Sequence, residues 1–284
     1  MRTVILSAAL AAALSLPAQQ TMVKPYQPSP GASVTQTVGN STVKIDYSRP
    51  GVKGRKIWGG LVPFGEVWRT GANNATVITF SDPVKIAGKD LPAGSYAFFA
   101  IPGPKAWTLI FNKNIKQWGA YDYKPTEDAL QVEAMPEVLA APEEYLQFSV
   151  HLKSLEALRV ELAWEKLSVG FDVTLDTPGL YWAYLEKTLA GARPEEHVPF
   201  LQGARYCLNN DVHLDKGMEW IDRSLKAKEV YSNLDTKARL LNKAGKKAEA
   251  LATLQKAIDL ATAAKTPQEY LDGLAKAKAE WSAK

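Results

Sequence analysis

With 284 residues, 46% of them hydrophobic and 23% charged, the chain is long enough for about two packed domains and too apolar for wholesale disorder. A net charge of +4 is too small to argue for a nucleic-acid partner. Cys207 is the only cysteine, which excludes an internal disulfide, so a fold in an oxidising compartment has to rest on packing.

The N-terminus, MRTVILSAALAAALSLPAQQ, sets Arg2 before an apolar run from Val4 to Leu16 and a small residue at Ala18. That order predicts a secretory signal over residues 1–18 and a secreted or periplasmic protein. The run is too short to cross a bilayer, and no later run approaches that length, so no transmembrane segment is expected once the signal is removed. Residues 19–32 are Pro- and Gln-rich and read as an extended lead-in.

Strand patterns follow over residues 33–175. Val43, Ile45 and Tyr47 alternate with polar partners, and ATVITF, GSYAFFAI and AWTLIFN continue the theme between turn residues. Leu146, Phe148, Val150 and Leu152 share one face. Leu158, Val160, Leu162 and Trp164 form a second such set, and Leu167, Val169, Phe171 and Val173 a third. The short links KSLEA and EK predict antiparallel hairpins between these three. Eight or nine short strands without intervening helices predict an antiparallel, sandwich-like β-domain.

At Thr177 the period changes to helical and stays so through residues 176–284. Thr177 reads as an N-cap ahead of Pro178, Thr266 with Glu269 as a capping box, and Gly245 as a break between helices. Ala204, Leu208, Met218, Ile221 and Leu225 are echoed 33 residues later by Lys237, Leu241, Leu251, Leu254 and Ile258. The spacing suits a tetratricopeptide-like helical repeat, with a plain helical bundle as the alternative. The whole chain is therefore expected to be α+β, a β-sandwich-like domain followed by an all-α domain.

Candidate chemistry concentrates in YSRPGVKGRKIWGGLVPFGEVWRTGANN (47–74). Six basic residues against two acidic ones give residues 44–69 a charge of +4, while ten acidic against three basic give residues 122–165 a charge of −7. The two segments can pair with each other, or the basic one can face an anion. Arg49, Arg55 and Arg69 supply forked donors, Trp58 and Trp68 flat faces, and Asn73 an amide. A second aromatic loop, residues 114–129, adds Trp118 and Tyr121. Such a set suits a sugar or sugar acid, and equally a β-corner whose arginines bond loop carbonyls. Glu66, Glu127 and Asp128 are the weak candidates for acid–base catalysis. His151, His197 and His213 fit no metal-ligand spacing, and no Walker loop, dinucleotide fingerprint or Gly-x-Ser-x-Gly elbow occurs. No metal or cofactor is therefore expected.

The Tyr-Ser-Arg-Pro and Val-Trp-Arg-Thr-Gly-Ala-Asn strings, with LPAGSYAFFAIPGPKAWTLIFNK, WGAYDY and LAWEKLSVGF, resemble the bacterial domain of unknown function 2911 over roughly residues 29–174. The resemblance implies a secreted β-rich domain and transfers no reaction and no catalytic residue. Three functions stay open at this point. The first is a non-enzymatic binding module for a small polar or anionic ligand, held by Arg49, Arg55, Trp68, Arg69, Asn73, Trp118 and Tyr121. The second is a carbohydrate or ester hydrolase using the loop carboxylates. The third is an envelope scaffold that binds a protein partner through the helical tail.

Overall fold

The structure is a computed structural model that describes residues 26–283; the predicted signal and most of the lead-in lie outside the described residues. Among the described residues ten strands form two antiparallel sheets. One has the order β1 (Gly31–Val38), β2 (Ser41–Ser48), β3 (Thr76–Phe80), β6 (Gly94–Ile101), β7 (Trp107–Asn112), β8 (Asp128–Ala134). The other has the order β5 (Lys89–Leu91), β4 (Val84–Ile86), β10 (Ala157–Thr174), β9 (Glu137–Ser154). Alternation dictates what each strand buries: Val43, Ile45 and Tyr47 of β2 face inward, as their spacing predicts. Phe98 of the first sheet meets Phe148 and Phe171 of the second, so the sheets pack face to face over one core.

One predicted hairpin is not a turn. KSLEA does join β9 to β10, but EK lies inside β10, a single strand of 18 residues. Glu165 there has φ +56° and sits in a register shift: the pairs run from Ala163 with Gln147 through Glu165 with Glu143 to Leu167 with Val138, so the unmatched residues lie on β9. Across this irregularity the inward set passes from even positions (Leu158 to Trp164) to odd ones (Val169 to Val173), and both sets are buried in the same core. A parity flip therefore imitates two strands in the sequence. On β9, Leu146 and Phe148 are buried, whereas Leu152, next in the alternation but one, is half exposed.

Six helices follow among the described residues: α1 (Thr177–Gly191), α2 (His197–Asn210), α3 (Leu214–Ala227), α4 (Tyr231–Lys243), α5 (Lys247–Ala263) and α6 (Gln268–Ala283). The 33-residue echo falls on α2–α3 and α4–α5, separated by Gly245 and its neighbours in the second pair, where φ at Gly245 is +74°. The cap of α1 is Asp176, which accepts from Gly179 N at 3.0 Å; the predicted cap, Thr177, instead donates its hydroxyl to Leu155 O at 2.8 Å. Thr266 likewise donates to Ala261 O at 3.2 Å rather than capping α6. Both hydroxyls found a carbonyl of the preceding chain, which local patterns do not encode. Cys207 is buried among the helices, and burial pushes its thiol up to about 11. No helix among the described residues is long and apolar enough to cross a membrane.

Candidate functional site

The connection between β2 and β3, residues 49–75, spans the two sheets at one end of the sandwich. Its first part is tied to β9, with Val52 N on Glu144 O and Leu146 N on Pro50 O. Its last part is tied to β6 through Trp68 N on Ala100 O and Ala100 N on Trp68 O, both 2.8 Å. Connections this long without regular structure are commonly functional. The turn after Trp68 is strained: Thr70 is β-branched yet has φ +52°. Thr70 is held there by its hydroxyl on Phe98 O (2.8 Å) and by the Thr76 hydroxyl on Thr70 O (2.9 Å).

The three arginines do not share one role. Arg49 donates from Nε to Leu146 O at 2.9 Å and from Nη2 to Gln147 Oε1 at 3.5 Å, so its fork stitches the loop to β9. Arg55 donates to Val52 O at 3.1 Å and to Gly51 O at 2.6 Å, and closes its own turn. These two follow the corner reading. Arg69 differs: its side chain makes no hydrogen bond among the described residues, and its Nε is buried. Burial pushes the guanidinium below its ordinary value, and the nearby Tyr121 oxygen offsets part of that. The predicted pairing of the basic and acidic segments is not ionic: among the described residues no ion pair joins them, and Glu144 instead accepts from Lys53 N at 2.9 Å.

Arg69 lies on the wall of a cavity of about 210 Å³, shared with Arg55, Trp68, Trp164, Leu61 and the Gly71–Ala72 backbone. Behind this wall four tryptophans touch one another. Trp68 stacks on Trp164 at 5.9 Å and 17°, and Trp58 meets Trp68, Trp107 and Trp164 at 5.6, 4.8 and 5.8 Å. The indole N–H groups of Trp58, Trp107 and Trp164 are buried without an acceptor among the described residues, as is Arg69 Nε. Each of these atoms is a donor, and a buried unpaired donor costs about 1–3 kcal/mol. Larger hollows exist, such as one of about 520 Å³ beside Leu155, Tyr181 and Tyr206, but none of their lining residues carries a buried polar atom without a partner.

A family model described as a protein of unknown function (DUF2911) matches residues 29–173, half of the 284-residue chain and nearly all of the two sheets. The chain belongs to this family. No curated protein and no solved structure matches it. The helices lie beyond the matched DUF2911 domain.

The remaining predicted residues are placed as follows. Asn73 donates to Ser29 O at 3.3 Å and to Ser48 Oγ at 3.2 Å, so its amide nitrogen belongs to the corner. Trp118 and Tyr121 stand beside the Arg69 loop without lining the cavity. Asp128 is occupied, accepting from Asn112 Nδ2 (2.8 Å), Tyr123 OH (2.7 Å) and Gln131 Nε2 (2.7 Å). Tyr123 in turn has its ionisation pushed well above the ordinary range, by burial first and by Asp128 second. Glu66 is exposed, and neither it nor Glu127 lines the cavity of the DUF2911 domain. Trp164, which lines the cavity, and Trp107, which packs on Trp58 behind it, are the residues that the sequence reading missed. Both sit on regular strands, where a tryptophan in an alternating pattern reads as core, and only the closing of one sheet on the other sets them behind the loop.

Proposed function

We propose that the DUF2911 domain of this chain is a non-enzymatic binding module for a small anionic ligand, a sugar acid or a related carboxylate. The observation that supports this reading is the half-buried Arg69, whose side chain has no hydrogen bond among the described residues, on the wall of a cavity. A carboxylate brings acceptors only, and a guanidinium fork matches it in two parallel bonds. At about 210 Å³ the cavity is smaller than the roughly 300–1,000 Å³ of drug-sized sites. It suits a single ring or a short acid. Trp68 supplies an apolar face and Arg55 a second positive charge. The hydrolase reading gains nothing from the geometry, because no carboxylate among the described residues lines the cavity. In this reading the protein works in the periplasm or outside the cell, on the strength of the leader pattern, and the helices serve as an interaction tail.

Calorimetric titration of the full chain with glucuronate, galacturonate and the matching neutral sugars tests the site. The acids should bind, the neutral sugars should not, and Arg69→Ala should weaken binding by about 1.5–3 kcal/mol, the worth of a charged hydrogen bond. Equal binding of neutral sugars, or an Arg69→Ala variant as good as the parent, would remove the basis of the proposal.

A further inference from the structure

Beside the cavity the domain keeps two large aromatic rings in water. Trp118 is 61% exposed and Tyr121 81% exposed, and the two stack on each other at 5.8 Å and 20°. Solvated aromatic surface of this kind marks a contact site more often than a structural need. The pair is also preformed. Its loop is bonded to the loop of Arg69 by Ala75 N on Gln117 O (3.0 Å), Gly119 N on Asn73 O (3.2 Å) and the bridge between Asn74 and Trp118. From below it is anchored by buried Gln117, whose Nε2 donates to Asn112 Oδ1 at 3.1 Å and to Asn114 O at 2.6 Å. Gly119 has φ +74°, and a Cβ there would meet the Tyr121 ring at 2.6 Å, so only glycine lets that ring fold back beside Trp118. The strand-like pairing of residues 73–75 with 117–119 continues directly from Gly71 and Ala72, which line the cavity.

We infer that Trp118 and Tyr121 form a second subsite, so that the ligand is an acidic oligosaccharide with one charged ring at Arg69 and the next ring on the aromatic pair. This rests on the binding function proposed above. The C–H face of a pyranose is flat and apolar while its rim is polar, and a rigid open pair of rings matches it without reorganisation. A protein segment is the other class of occupant. A cavity walled by Arg69 and Arg55 at the edge of the platform favours an acidic sugar chain, since the charged ring and its neighbour then use both features at once.

Full-length protein is titrated with galacturonate and with its α-1,4-linked dimer and trimer, followed by calorimetry and tryptophan fluorescence. The trimer should bind at least tenfold tighter than the monomer. Trp118→Ala should abolish that gain and leave monomer affinity within about twofold, and Tyr121→Ala should do the same in part. Arg69→Ala should weaken monomer and trimer alike. Both aromatic variants change exposed side chains, and circular dichroism checks their fold. A trimer no tighter than the monomer, or a gain that survives Trp118→Ala, refutes the second subsite and leaves the Arg69 site standing. Absence of binding by every acid overturns the site itself and this inference with it.

Discussion

Replacing Arg69 by methionine should make the protein more stable while removing its proposed ligand affinity. Arg69 is half-buried, its Nε is enclosed, and none of its nitrogens has a partner among the described residues. A buried unpaired polar group costs about 1–3 kcal/mol, and because much of this guanidinium still reaches solvent, the low end applies, about 1 kcal/mol. Methionine keeps the length and apolar contacts of the arginine stem. In a domain of this size 1 kcal/mol corresponds to a rise in Tm of roughly 3–4 °C. Arg55→Met is the matched control. It gives up bonds to Gly51 O and Val52 O, so it should lower stability by about 1 kcal/mol. Differential scanning calorimetry on both variants reads the two signs side by side. Arg69→Met falling in Tm as far as Arg55→Met would show that Arg69 is a structural bond-maker, and the site argument would fail with it. A functional group held at a cost to stability is the usual trade at binding sites.

Glu165→Val should destabilise by about 1–2 kcal/mol in urea titration, because a β-branched side chain resists φ +56°, whereas Glu165→Gly should hold or gain stability. Cys207 should resist a thiol reagent at pH 8 in the native protein and react once denaturant is added, since burial raises its ionisation to about 11. Acid should weaken the fold in part through Asp172, whose ionisation is depressed mainly by its hydrogen bond from Lys153. A depressed carboxylate contributes above its unfolded value and loses that contribution as pH falls below about 4; with both side chains half exposed the effect is below about 1 kcal/mol, and Asp172→Asn should flatten the stability curve there. Alkali should act in the opposite direction. Tyr123 and Tyr270 are both raised, chiefly by burial, so their contribution is present below about pH 10 and is lost as pH climbs further, which pH-dependent unfolding monitors.

The candidate site was half legible. Arg69, Arg55 and Trp68 stand out in the sequence as forked and flat groups in a glycine-rich stretch, and the structure sets all three around one cavity. Arg49 and Asn73 look the same in the sequence, yet they serve the corner, because which guanidinium or amide finds a carbonyl depends on how the loop lies against β9 and residue 29. Trp164 and Trp107 were invisible as site residues for the converse reason: their spacing is that of core strands, and their position behind the loop follows from sheet packing.

Composition, period and turn residues determined the two-part α+β plan, since side-chain alternation in a strand and recurrence in a helix are local consequences of backbone geometry. They determined most strand faces and helix breaks as well. Only the tertiary structure decided that EK lies inside β10, that Asp176 caps α1, and that the Arg69 side chain is left without a partner among the described residues. Each of these depends on which donor meets which acceptor across chain-distant segments, and no local periodicity carries that information.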